Sequence, residues 1–169
     1  MAISMYSQTV PVFTRLLTNL SAILDKAAAH CAERKIDPAV MLGLRLFPDM
    51  FSLTRQVQLA TDFAKGATAR LSGQEVPKYE DTEATFDELK ARIAKTIAFM
   101  ALAREDQFAG AETRTVTIPV RGEPMDFVGL TYLNNAAMPN FYFHLTTAYN
   151  ILRANGVALG KGDFIGAHK

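Results

Sequence analysis

Four stretches of the chain repeat apolar residues at alternating spacings of three and four, the rhythm of an amphipathic α-helix. In the first, Tyr6, Val10, Phe13, Leu17, Leu20, Leu24, Ala27 and Cys31 fall on one stripe. This predicts a long helix, with Pro11 tolerated near its first turns. The second stripe, Met50, Leu53, Val57, Ala60, Ala64, Ala67 and Leu71, follows Pro48-Asp49, a helix-starting pair, and stops at Ser72-Gly73. Before it, the apolar segment from Asp37 to Phe47, bounded by Pro38 and Pro48, predicts a short helical turn or a packed loop. The third helix opens on a capping box, Thr85 with Glu88, and continues through Phe86, Leu89, Ile93, Ile97 and Met100.

After about Gln107 the period changes to two. Val116, Ile118 and Val120 alternate with Thr115, Thr117 and Pro119, and Arg121-Gly122 offers a turn before Glu123 to Val128. This predicts a small β-hairpin, restricted by Pro119 and Pro124 to edge pairing. A helical approach from Gly129 to Met138 leads into the fourth helix, whose core line is Phe141, Leu145, Ala148 and Leu152 and whose stop is Asn155-Gly156. The 74–84 stretch reads as a plain polar connection. Four helices that cannot bury their stripes alone imply an all-α four-helix bundle, with the hairpin between the third and fourth helices.

Length and composition narrow this further. At 169 residues and 49% hydrophobic, the chain predicts one domain spanning 1–169 with a real core. The 18 Lys and Arg against 17 Asp and Glu leave no basic field, so nucleic acid is not an expected partner. Every apolar run is broken before the roughly 20 residues that span a bilayer, so no membrane association is expected. Met1 to Met5 lacks the pattern of a secretory signal, and the cytoplasm is the expected compartment. The lone Cys31 excludes an internal disulfide and a cysteine-based zinc site.

Candidate chemistry centres on His144. At 100° per residue it lies about 60° from the core line of its helix, on the flank that carries Asn140 and Ile151. It reads either as a ligand-binding, metal-binding or proton-transferring imidazole, or as a half-buried histidine satisfied by a neighbour. On the second helix Gln56 and Asp49 flank the stripe, whereas Asp62 falls on the opposite face and is expected to be solvated. A ligand pocket containing Gln56, Asp49, Asn140 and His144 is the expected site. Asp49 equally suits the positive end of a helix dipole. His30 and His168 make no His-x-x-x-His pair with His144, and no Glu-x-x-His occurs, so no metal and no cofactor are expected. No nucleophile stands with a base. The glycines of 156–162 resemble a phosphate loop but lack the Ser or Thr after Lys161 and a preceding strand. That tail is read as a flexible strap pinned by Phe164 and Ile165. Tyr142 and Phe143 point away from the core line, to be covered by the hairpin and tail or by a second copy of the chain, and a homodimer is expected.

Three motifs carry a family resemblance: Pro48-Asp49-Met50-Phe51 with Arg55-Gln56-Val57-Gln58; Pro139-Asn140-Phe141-Tyr142-Phe143-His144-Leu145-Thr146-Thr147-Ala148-Tyr149-Asn150-Ile151-Leu152-Arg153; and Asn155-Gly156 with Gly160-Lys161-Gly162-Asp163-Phe164. Over nearly its whole length the chain resembles the DinB/YfiT-like superfamily of four-helix bundles, in particular its bacterial branch known only as a domain of unknown function. The resemblance implies a metal, commonly nickel or zinc, held by one histidine on the second helix and a His-x-x-x-His pair on the last. It also implies, for some relatives, thiol-dependent transferase or hydrolase activity, and for many a dimer. Here His144 stands for one of the pair, Asn140 replaces the other, and Gln56 occupies the place near the second-helix histidine. The expected function is therefore metal-free small-molecule binding or a stress-related accessory role. The alternative is a metal- or thiol-dependent transferase or hydrolase using His144.

Overall fold

The computed structural model describes residues 3–166. His168 lies outside them. Helix α1 spans Val10–Arg34, α2 Pro38–Gly43, α3 Leu53–Ser72 and α4 Phe86–Ala101. A hairpin of β1 (Thr115–Val120) and β2 (Glu123–Val128) follows, then α5 (Gly129–Tyr132), a π-helical turn over Leu133–Ala137, α6 (Met138–Ala154) and α7 (Lys161–Ile165). Helices α1, α3, α4 and α6 form the four-helix bundle, with α3 packed against both α4 and α6. No helix among the described residues is long and apolar enough to cross a membrane.

The stripes close the core as their spacing requires. Phe13, Leu17, Leu20 and Leu24 of α1, Leu53, Val57 and Leu71 of α3, and Phe141, Ala148 and Leu152 of α6 are fully buried. Phe13 and Phe141 meet edge to face with centroids 4.6 Å apart. Each such aliphatic or aromatic side chain contributes about 1.5–3 kcal/mol on burial. The capping box of α4 forms: Glu88 N–H donates to Thr85 Oγ1 at 3.2 Å and Thr85 N–H to Glu88 Oε2 at 3.0 Å.

The hairpin turns through Arg121 and Gly122, both with positive φ, 55° and 91°. Two such residues make the mirror-image turn whose twist matches paired strands. Val120 pairs with Glu123 beside the turn, which puts Pro119 opposite Pro124 at the next position. There the backbone N–H groups point away from the ladder, so two prolines cost no strand bond. Where β2 ends, a Cβ at Gly129 would lie 1.8 Å from the Ala111 carbonyl oxygen, and only glycine allows that approach.

Four expectations are corrected. Pro48-Asp49 does not start α3: it lies in a turn closed by Met50 N–H to the Phe47 carbonyl at 3.0 Å, and Leu53 N–H is tied to the Leu44 carbonyl at 2.9 Å. The helix therefore begins after Ser52. The 74–84 connection is no plain linker, because Tyr79, Glu80, Asp81 and Glu83 lie against α3 and α4 and bond to their side chains. The end of the tail is a helix, α7, rather than a strap, although Phe164 does pin it as expected. It docks through Lys26 to Asp163 at 2.6 Å and Phe164 against Tyr149 at 5.8 Å. Among the described residues neither hairpin nor tail covers Tyr142 and Phe143 of α6, which stay 39% and 55% exposed.

Candidate functional site

The site grows from the face of α3 that meets α6. Gln56, Leu59, Phe63, Gly66 and Arg70 recur at spacings of three and four, so they share a side of the helix beside its apolar stripe. From α6, the i, i+4 pair Asn140 and His144 faces them. His144 is 7% exposed and Gln56 1%. Their side chains meet at 2.7 Å between His144 Nδ1 and Gln56 Oε1. Gln56 Nε2 donates to the Phe51 carbonyl at 3.2 Å, which fixes the amide with its oxygen toward the imidazole. His144 must then carry its proton on Nδ1, leaving Nε2 as the basic nitrogen. Phe63 stacks on the ring at 5.6 Å and 13°, and Phe143 packs edge-on at 5.3 Å. Burial among these aromatics, and secondarily the positive charge of Arg55, pull the imidazole pKa down to about 4. His144 is neutral at pH 7.

Phe63 also forms a wall of an adjacent cleft of about 260 Å³, lined by Leu59, Asp62, Arg70, Ile118, Pro119, Tyr132, Ala136 and Asn140. The hairpin supplies Ile118 and Pro119, and α5 with its π-helical turn supplies Tyr132 and Ala136. Asn140 Nδ2 donates to the Ala136 carbonyl at 2.7 Å, so one arm of its amide is spent on the backbone of that irregular turn. Among the described residues its oxygen accepts no hydrogen bond. Arg70 Nη1 donates to the Tyr132 hydroxyl at 3.3 Å. Burial raises the Tyr132 pKa, against the lowering effect of Arg70, so the phenol stays protonated.

At the edge of this cleft Asp62 belongs to a second polar assembly around Arg92, which is 3% exposed. Arg92 Nη2 pairs with Asp62 at 2.8 Å and Asp81 at 3.1 Å, and Nη1 pairs with Glu83 at 3.0 Å. The remaining donors reach the Glu80 carbonyl at 3.0 Å and Thr61 Oγ1 at 2.8 Å. Lys65 bonds Asp62 at 2.6 Å and lies over the Tyr79 ring, and Arg55 pairs with Asp81. Asp62 is thus an ion-pair partner, not the solvated residue its position opposite the apolar stripe predicts.

Residues 5–165 match the family described as Domain of unknown function (DUF1993). The chain belongs to that family. It is also similar, at 45% identity with a TM-score of 0.91, to the crystal structure at 1.83 Å resolution of a DinB family member protein from Shewanella denitrificans, with 96% of this chain and 92% of that one covered. The domain is therefore DinB-like in fold. A comparison with curated proteins finds no match.

Among the described residues, those at the positions where the superfamily implies a nickel or zinc site do not supply its donors. One imidazole remains, its Nδ1 bonded to Gln56, and both carboxamides that replace histidines already hold other hydrogen bonds. Among the described residues no group of three His, Cys, Asp or Glu side chains converges. A tight transition-metal site wants three or four such ligands, and these residues do not fit one. Of the four residues expected to form a pocket, the fold joins His144 to Gln56 and puts Asn140 in the neighbouring cleft. Asp49 is exposed on the 44–52 loop and does not line the cleft. Arg70, Tyr132, Phe63 and Arg92 escaped the sequence reading. The one local signal was Gly66, a glycine inside a helical run, which marks a close approach.

Proposed function

We propose that this DUF1993 domain is a metal-free small-molecule-binding bundle whose ligand enters the cleft between α3, the hairpin and α6. One observation carries the reading: apolar walls from Leu59, Phe63, Ile118 and Pro119 converge with Arg70, Tyr132 and Asn140, each retaining hydrogen-bonding capacity that no partner among the described residues uses. A concave, largely apolar pocket with few convergent polar groups is the ordinary form of a ligand site. The neutral His144–Gln56 pair supports it from behind by holding Phe63 in place through ring stacking. The test joins elemental analysis to methyl-labelled NMR spectra of Leu59 and Ile118 with a fragment mixture. No stoichiometric nickel or zinc, together with shifts at both methyl groups, is the expected result. Stoichiometric metal that disappears in His144→Ala sinks the reading and restores a metal- or thiol-dependent transferase or hydrolase.

A second reading concerns assembly. Leu46, Met50, Pro139, Tyr142 and Phe143 line one shallow groove, and Phe47 and Phe51 on the same loop are 63% and 54% exposed. Monomers rarely leave so many large apolar side chains together in water, and a two-fold homodimer would cover this face with its own copy. Light scattering after size exclusion tests it: a dimer that dissociates in Phe143→Asp is expected, and a clean monomer at micromolar concentration overturns it.

A further inference from the structure

The cleft also specifies a ligand class, an inference that rests on the binding role proposed above. Arg70 carries five N–H donors, yet among the described residues it makes no ion pair and its guanidinium bonds only the Tyr132 hydroxyl. The Tyr132 hydroxyl oxygen accepts from Arg70, and among the described residues its O–H has no acceptor. Two adjacent groups on one cavity wall thus offer donors with nothing to receive them. The chain makes room for this arrangement. Arg70 extends back along α3 over Gly66, where an added Cβ would lie 2.5 Å from Arg70 Nη1. Glycine in a helix interior is unfavourable by itself, so the missing side chain marks space used by the guanidinium.

We propose that the cleft binds small apolar monocarboxylates, with Arg70 and the Tyr132 hydroxyl holding the carboxylate and Leu59, Phe63 and Ile118 enclosing the apolar body. The guanidinium fork matches the two oxygens of a planar carboxylate. Asp62 lines the same cavity, which disfavours a doubly charged phosphate. The volume of about 260 Å³ suits a single ring or a short branched chain.

The probes are benzoate, its neutral isostere benzamide, and phenyl phosphate, titrated into the full chain while the Leu59 and Ile118 methyl resonances are followed. Benzoate is expected to bind at least tenfold more tightly than either analogue. Arg70→Met and Gly66→Ala are each expected to weaken benzoate at least tenfold and to bring it level with benzamide, with unchanged circular dichroism. Gly66→Ala removes no polar group and lies in a helix that alanine favours, so its loss of binding reports the displaced guanidinium rather than a damaged fold. Equal affinity for benzoate and benzamide, tighter binding of phenyl phosphate, or full benzoate affinity in Gly66→Ala overturns the carboxylate assignment while leaving a binding cleft. If benzoate produces no shifts the assignment also falls, and the fragment mixture above decides whether the cleft reading falls with it.

Discussion

Two arginines, one on α4 and one on α3, are treated in opposite ways by the same fold. Arg92 is 3% exposed and its donors are all taken: Asp62, Asp81, Glu83, the Glu80 carbonyl and Thr61. With Lys65 and Arg55 the assembly balances three cations against three carboxylates. A charge removed from water is tolerated when it is paired and hydrogen-bonded, and such an assembly fastens the 74–84 segment to the bundle. Arg70 is half-buried, faces a cavity and, among the described residues, has no carboxylate partner. The difference separates a guanidinium whose work is internal from one that the proposed carboxylate ligand would complete.

The contrast breaks most visibly in stability. Arg92→Met leaves three carboxylates without their shared cation and is expected to cost about 4 kcal/mol, in the range for removing one member of a buried pair. Arg70→Met should cost under about 0.5 kcal/mol, as for a surface substitution. Urea unfolding of both variants measures the gap, and equal losses would erase the distinction. His144 adds a third way to bury a titratable group, by keeping it neutral. The unfolded chain takes up a proton near 6.5, whereas the folded imidazole holds out to about 4. The unfolded state therefore binds more protons between those values, and stability falls as pH drops from 6.5 to 4, by about 3 kcal/mol in all, with no contribution above 6.5. The loss should be absent in His144→Phe, and unfolding midpoints of both proteins across that window check it. Gln56→Leu strands the Nδ1–H without an acceptor and is expected to cost about 2 kcal/mol. Gly66→Ala is the one change not expected to destabilise: calorimetry should show stability unchanged or raised by up to about 1 kcal/mol, even as benzoate binding is lost.

The bundle was legible because its stripes are local. Val10 to Cys31 and Phe141 to Leu152 repeat on one helix face, and a helix buries whatever its period brings to that face. Thr85 with Glu88 and Arg121-Gly122 act within a few residues, so cap and turn were equally readable. The start of α3 was not, because Pro48-Asp49 suits a helix entry and a tight turn alike, and the bond from Leu53 to Leu44 decides between them. Asp62 was misplaced for a related reason. Its position opposite the apolar stripe does point away from the main core, but the 74–84 segment returns to cover that face, which no period on α3 records.

Of the candidate site, the sequence singled out His144, Asn140, Gln56 and Asp49, the first three because a histidine with a carboxamide in place of its helical companion stands out within a family motif, whereas Asp49 is left on an exposed loop. By itself it determined the four bundle helices, the hairpin and the family, all of which follow from local period or from residue identity. Tertiary structure alone decided that Gln56 fixes the His144 tautomer across 88 positions of chain. It also decided that Arg92 is matched while Arg70 is left open beside Tyr132. The physical reason is that hydrogen-bond satisfaction and charge balance depend on which distant segments come within about 3 Å, a distance that spacing along the chain does not encode.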